Sequence, residues 1–163
     1  METRTNGYKP FSQKTYNRTD NKGKETAIMF LLEHGFNFTE EQLLKNEQER
    51  YKICDFEITK KDTKKSYLIE VEVREMWIVK GKWMKYNTVH IPGRKNETQS
   101  DIYIVINSTH DTIGICKTEN ILNSPIITIN TRSTINENFY DVKLCKFRFF
   151  DKQYNSEWKL IKN

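Results

Sequence analysis

Two segments of alternating apolar and charged residues, YKICDFEIT (51–59) and SYLIEVEVR (66–74), flank the charged run KKDTKK (60–65). Successive side chains of a strand point to opposite faces, so the pattern predicts two antiparallel strands joined by a turn. Cys54, Phe56 and Ile58 then share a face with Ile69, Val71 and Val73. A slip of one residue would turn the acidic set toward the core, which constrains the register. With the apolar faces aligned, Asp55, Glu70 and Glu72 fall on a common face of adjacent strands. Like charges facing each other across a ladder are destabilising, and a hard divalent cation held by carboxylate oxygens would offset the repulsion. The alternative is an amphipathic ribbon with a solvated polar face.

The flanking segments fill in a class. Thr19 or Asp20 can cap a helix over about 24–34, in which Glu25, Ile28, Met29 and Leu32 recur at i, i+3, i+4, i+7 spacing. Gly35 is a natural stop. If that face packs on the sheet, Glu25 joins the acids; otherwise it is a first-turn acid favoured by the helix dipole. TEEQLLKNEQER (39–50) reads as a second helix capped by Thr39. DIYIVIN (101–107) is apolar on both faces, as a central strand is. IGIC (113–116) and PIITIN (125–130) read as strands and KTENIL (117–122) as a helical turn. FYDVKLCKFRFF (139–150) fits either a strand or a helix. The expected class is α/β or α+β, with a mixed central sheet flanked by helices. Residues 1–22, polar and aperiodic, read as a flexible basic arm ahead of a single domain over 23–163.

Length and charge narrow the partners. A chain of 163 residues is about one domain and long enough to bury a core without staples. No apolar run approaches a membrane span, and the first residues show no secretory signal. The three cysteines, Cys54, Cys116 and Cys145, are far apart, lack a CxxC and read as buried thiols in a reducing cytoplasm. The net charge of +5 is uneven: residues 1–24 hold six basic and two acidic residues, and residues 60–95 hold ten and four. Such a local excess suits a polyanion. With 6 Gly and no GxGxxG, GxxxxGK[ST] or HExxH, a Rossmann enzyme, a P-loop NTPase and a zinc protease are disfavoured.

The residues that carry the acidic pattern resemble the PD-(D/E)XK nuclease superfamily, over about residues 24–107. Asp55 in CDFEI matches its first acid and Glu70 in IEVEV its second, with a preceding helix that carries Glu25. The third position, usually Lys, is Glu72, an acid that some restriction endonucleases of the superfamily also carry. The stretch from the acidic strand to TVHIPGRK (88–95) is similar to phage-type nucleases of that superfamily. The resemblance implies a restriction-endonuclease-like fold and Mg²⁺-dependent hydrolysis of DNA, with Mn²⁺ as a substitute. Glu25, Asp55, Glu70 and the carbonyl of Val71 would then bind metal. Asp55, Glu70, Glu72 and Lys95 would be catalytic, with Lys95 or Arg94 supplying the missing cation. Arg74, Lys80, Lys82, Trp83, Lys85, His90 and Arg94 are the candidate DNA contacts, basic residues mixed with aromatic ones in the manner that follows a backbone and stacks on bases. Duplex cleavage would require two sites, hence a homodimer. The competing expectations are a nucleic-acid-binding protein without catalysis and a protein-interaction module with an acidic face.

Overall fold

The computed structural model of the chain describes residues 13–48, 54–74, 78–79, 82–83, 88–93, 99–131 and 135–161. Helix α1 (Gln13–Glu33) leads, followed by β1 (Phe36–Asn37), α2 (Glu40–Gln48), β2 (Phe56–Lys60) and β3 (Ser66–Arg74). The short strands β4 (Ile78–Val79) and β5 (Lys82–Trp83) precede β6 (Thr88–Pro92), β7 (Ile102–Asn107) and β8 (Thr112–Lys117). Helix α3 (Thr118–Leu122), β9 (Ile126–Ile129), β10 (Glu137–Lys143), a 3₁₀ turn at Leu144–Lys146, β11 (Arg148–Lys152) and β12 (Trp158–Ile161) complete the chain.

Seven strands form a curled half-barrel sheet in the order β1-β2-β3-β7-β8-β11-β12. Only β3 and β7 run parallel; every other neighbouring pair in it is antiparallel. Helix α1 covers one face, where Ala27, Phe30 and Leu31 pack against Phe56, Ile58, Ile69, Val71, Ile104 and Ile106. A three-stranded antiparallel sheet, β6-β10-β9, covers the other. There Tyr103, Val105, Cys116 and Phe149 meet Val89, Ile91, Tyr140 and Val142. β7 is therefore buried on both faces, as its unbroken apolar run requires.

The expected fold class is overturned. Strands far outweigh helices, and the protein is mostly β rather than a restriction-endonuclease-like sheet flanked by helices. Two segments account for the difference. The connection from β3 to β7 contains strand β6 and starts a second sheet, which covers the face that the expected class would give to helices. FYDVKLCKFRFF divides at the 3₁₀ turn into β10 and β11, which belong to different sheets. Before the turn, buried Tyr140 and Val142 alternate with Asp141 and Lys143, as a strand with one packed face requires. After it, Phe149 and Phe150 are buried one after the other, one in each core, as in a strand covered on both faces.

The buried stripe of α1 is also not the expected one. Ala27, Phe30 and Leu31 are buried, whereas Met29 and Leu32 are 58% and 38% exposed. Gly23 sets the approach: a Cβ there would lie 2.7 Å from Val73 Cγ2, so only glycine lets the helix settle this closely on β3. The helix begins at Gln13, taking in much of the segment read as an arm. It stops at Gly35, whose φ of +88° disfavours other residues. At α2 the expected cap is in place: Thr39 Oγ1 accepts from the Gln42 N–H, and Gln42 Oε1 accepts from the Thr39 N–H, both at 3.1 Å.

Candidate functional site

The hairpin forms as its alternation predicts, with β2 and β3 paired from Phe56 opposite Ile69 to Thr59 opposite Ser66. Ile69 and Val71 enter the core under α1. The alternation of β3 then turns Glu70, Glu72 and Arg74 to the face covered by the three-stranded sheet. Asp55 stands just ahead of β2, and its N–H donates to the Ile69 carbonyl at 2.8 Å. Its carboxylate turns along the strand edge, where Oδ2 accepts the Val71 N–H at 2.7 Å. The N–H and C=O of one strand residue project to the same edge, so the Val71 carbonyl faces Asp55 as well.

The charges of Asp55 and Glu70 both reach Cys54. Burial pushes the Cys54 thiol up to about 11, and the neighbouring charges of Asp55, Glu70 and Glu57 add to the effect. Glu70 is buried, at 8% exposure. The cation at this site is Lys24, whose Nζ is 3.3 Å from Asp55 Oδ1. Sequence reasoning missed it, because the apolar spacing phases α1 one residue away. Glu25, expected to complete the acid cluster, is exposed. A helix advances about 100° per residue, so the face that presents Lys24 to the sheet edge turns Glu25 off it. Glu57 leaves the group too and pairs with Lys45 of α2 at 3.7 Å.

Glu72 belongs to a second network. Tyr103 Oη donates to Glu72 Oε2 at 2.5 Å, and Arg74 Nε lies 3.5 Å from Glu72 Oε1. Arg74 Nη2 donates to the His90 carbonyl, linking β3 to β6. His90 Nε2 in turn lies 3.0 Å from Asp141 Oδ1 on β10. Burial holds the Tyr103 hydroxyl well above its ordinary range, and the Glu72 charge adds to it. These contacts turn Arg74 and His90, expected at DNA, into the seam between the two sheets. The signal for Tyr103 and Asp141 was available only once β7 and β10 had neighbours.

The three hairpin acids therefore take different partners: Asp55 engages Lys24 and the Val71 N–H, Glu72 engages Tyr103 and Arg74, and the charge of Glu70 reaches both Cys54 and Tyr103. Among the described residues, no group of three His, Cys, Asp or Glu side chains is placed to hold a metal ion. The donors that fit a divalent ion are the carboxylates of Asp55 and Glu70 and the Val71 carbonyl, all oxygen, as Mg²⁺ and Mn²⁺ prefer. Of the candidate DNA contacts, Lys82 and Trp83 form β5, antiparallel to β4. Lys80, Lys85, Arg94 and Lys95 lie outside the described residues. Cys145 is exposed, contrary to its expected burial, while Cys54 and Cys116 are buried. No helix among the described residues is long and apolar enough to cross a membrane. No family model, curated protein or solved structure matches the chain.

Proposed function

We propose that the protein is a divalent-metal-dependent endonuclease that hydrolyses phosphodiester bonds of DNA at Asp55 and Glu70. The observation that carries this reading is a buried carboxylate, Glu70, whose charge reaches the same thiol as that of Asp55, with Lys24 at 3.3 Å from the second acid. A bound divalent ion would supply charge neutralisation at the phosphate and a more acidic water. The chain's own groups do the rest. The Val71 N–H fixes the orientation of Asp55 through Oδ2. Lys24 brings an ammonium to the same carboxylate and takes the role given to Lys95 or Arg94, stabilising charge that develops on a phosphate. Tyr103 and Arg74 engage the Glu72 carboxylate, which leaves Glu72 a positioning role on β3.

Nicking of supercoiled plasmid in Mg²⁺ or Mn²⁺ tests the reading. Asp55→Asn and Glu70→Gln are expected to abolish nicking while DNA binding in EDTA persists. If Asp55→Asn nicks at the wild-type rate, the site is misassigned. A second reading, a nucleic-acid binder without hydrolysis, is favoured by one observation: the acid in the usual lysine position is committed to Tyr103 and Arg74. Wild-type binding without nicking under any divalent ion, together with no heat of Mn²⁺ binding, would select it.

A further inference from the structure

Helix α1 leaves one end of its sheet face uncovered. Beyond the helix terminus a groove of about 930 Å³ opens across the start of β3 and β7 and the end of β8. Its floor is Phe36, Tyr67, Ile102 and Ile115, the half-buried margin of the α1-side core. Its rim is cationic: Lys60, Lys65, Lys117, Lys146 and Arg148 line it, against the acids Asp101 and Glu119. Among the described residues none of these five cations has a carboxylate within ion-pair distance. Asp101 is engaged instead by the Leu68 N–H at 2.8 Å.

We propose that this groove binds a single-stranded nucleic acid, with phosphates on the cationic rim and bases on the apolar floor. Three features select that occupant. The uncompensated rim charge calls for a polyanion. The floor carries two aromatic rings, Phe36 and Tyr67, edge to face at 5.9 Å, and a stacked base needs such a surface. Lys65 Nζ lies 5.2 Å from the Tyr67 ring centre, so a cation stands where a base and its phosphate would meet. A duplex keeps its bases inside and would leave the floor unused. An acidic polypeptide would meet the rim but bring no flat rings to the floor. Tyr67 shares its face of β3 with Ile69 and Val71, and Glu70 occupies the other face, so the groove is separate from the proposed hydrolytic site.

The test is fluorescence anisotropy of a labelled oligothymidylate with the full chain in EDTA, where no cleavage can occur. The outcome is thus independent of the nuclease reading. Lys117→Glu/Lys146→Glu is expected to weaken binding about tenfold or more. It should also lower the slope of log affinity against log salt by about 0.7 for each phosphate that the variant no longer neutralises. Lys60→Glu/Lys65→Glu, on the other rim, should do the same. All four positions lie on the surface, and far-UV circular dichroism confirms that the variants fold. Unchanged affinity and slope in both pairs would overturn the proposal. So would a duplex, or a polyglutamate peptide, that binds as tightly as the oligothymidylate and whose binding is abolished in the same variants.

Discussion

Arg74 and Glu72 lie 3.5 Å apart between two sheets, where Tyr103 donates to the second Glu72 oxygen and Arg74 Nη2 donates to the His90 carbonyl. Lys117, Lys146 and Arg148 project from the opposite end of the same sheet into open solvent, and no carboxylate pairs with them among the described residues. The difference follows from where water is. A charge shut between two packed layers is costly unless it is paired and hydrogen-bonded. A charge at an open groove keeps its hydration and tolerates an unbalanced neighbourhood. Paired charges therefore mark where the fold depends on electrostatics. Unbalanced ones mark where the protein can receive an external charge.

The strongest way to break this contrast is Arg74→Met. It leaves Glu72 with Tyr103 alone and removes a donor from the His90 carbonyl, with both ends of the pair mostly enclosed: the Arg74 and Glu72 side chains are 14% and 21% exposed. The expected loss is about 3 kcal/mol, the usual cost of removing one partner from a buried pair. Urea unfolding measures it. A loss below about 1 kcal/mol would mean that solvent reaches the seam and that the two regions are not so different.

Tyr103→Phe asks the same question of a single hydrogen bond. Deleting the hydroxyl that donates to Glu72 is expected to cost about 2 kcal/mol, in the range for bonds to charged groups. A spectrophotometric titration adds a check that packing alone would not move. The chain has 8 tyrosines, and Tyr103 should ionise well above the ordinary range because it is buried beside Glu72. That late step should vanish in the variant.

The contrast also shows why some of the molecule was readable in one dimension and some was not. The hairpin was legible, its second strand to the residue and its first over a shorter span, because period-two alternation and a charged turn are local properties. So was β7, whose apolar run states that both its faces are buried. Lys24 was not legible. The choice between Glu25 and Lys24 depends on the rotation of α1, which Gly23 sets through its contact with Val73, a residue far away in sequence. The flanking helices failed for a similar reason. What covers the second face of the sheet depends on where β6 and β10 pair, and pairing partners are not written in either segment. The acids could be placed on the hairpin from its alternation, but the partners of Glu72 and His90, Tyr103 and Asp141, come from distant strands.

Two thiols carry the comparison into pH dependence. Cys116 lies between the sheets, where burial pushes its thiol up to about 12 from 9.0, while Cys145 is exposed beside the groove residue Lys146. A thiol that keeps its proton longer in the folded chain than in the unfolded one makes the folded state bind more protons. Stability then falls as pH rises through 9 and goes on falling until about 12. Cys116 alone is expected to remove about 1.4 kcal/mol between pH 8 and pH 10. Urea unfolding of wild type and Cys116→Ala at the two pH values isolates that increment. Cys145→Ala should leave it in place. In native protein at pH 8, iodoacetamide should modify Cys145 first.

The smallest expected effect is the sharpest on the groove side. Lys117→Glu/Lys146→Glu inverts two charges, a larger electrostatic change than Arg74→Met. Yet it should shift stability by no more than about 0.5 kcal/mol, since both side chains are solvated and neither makes an ion pair among the described residues. The sign should be stabilising at low salt, because the variant relieves repulsion along a rim of five cations. That gain should fade as the Debye length contracts toward about 3 Å at 1 M salt. A loss above about 1 kcal/mol would show instead that these lysines hold the end of the sheet together. The groove would then resemble the seam, and the proposed separation between charges that support the fold and charges that await a ligand would fail.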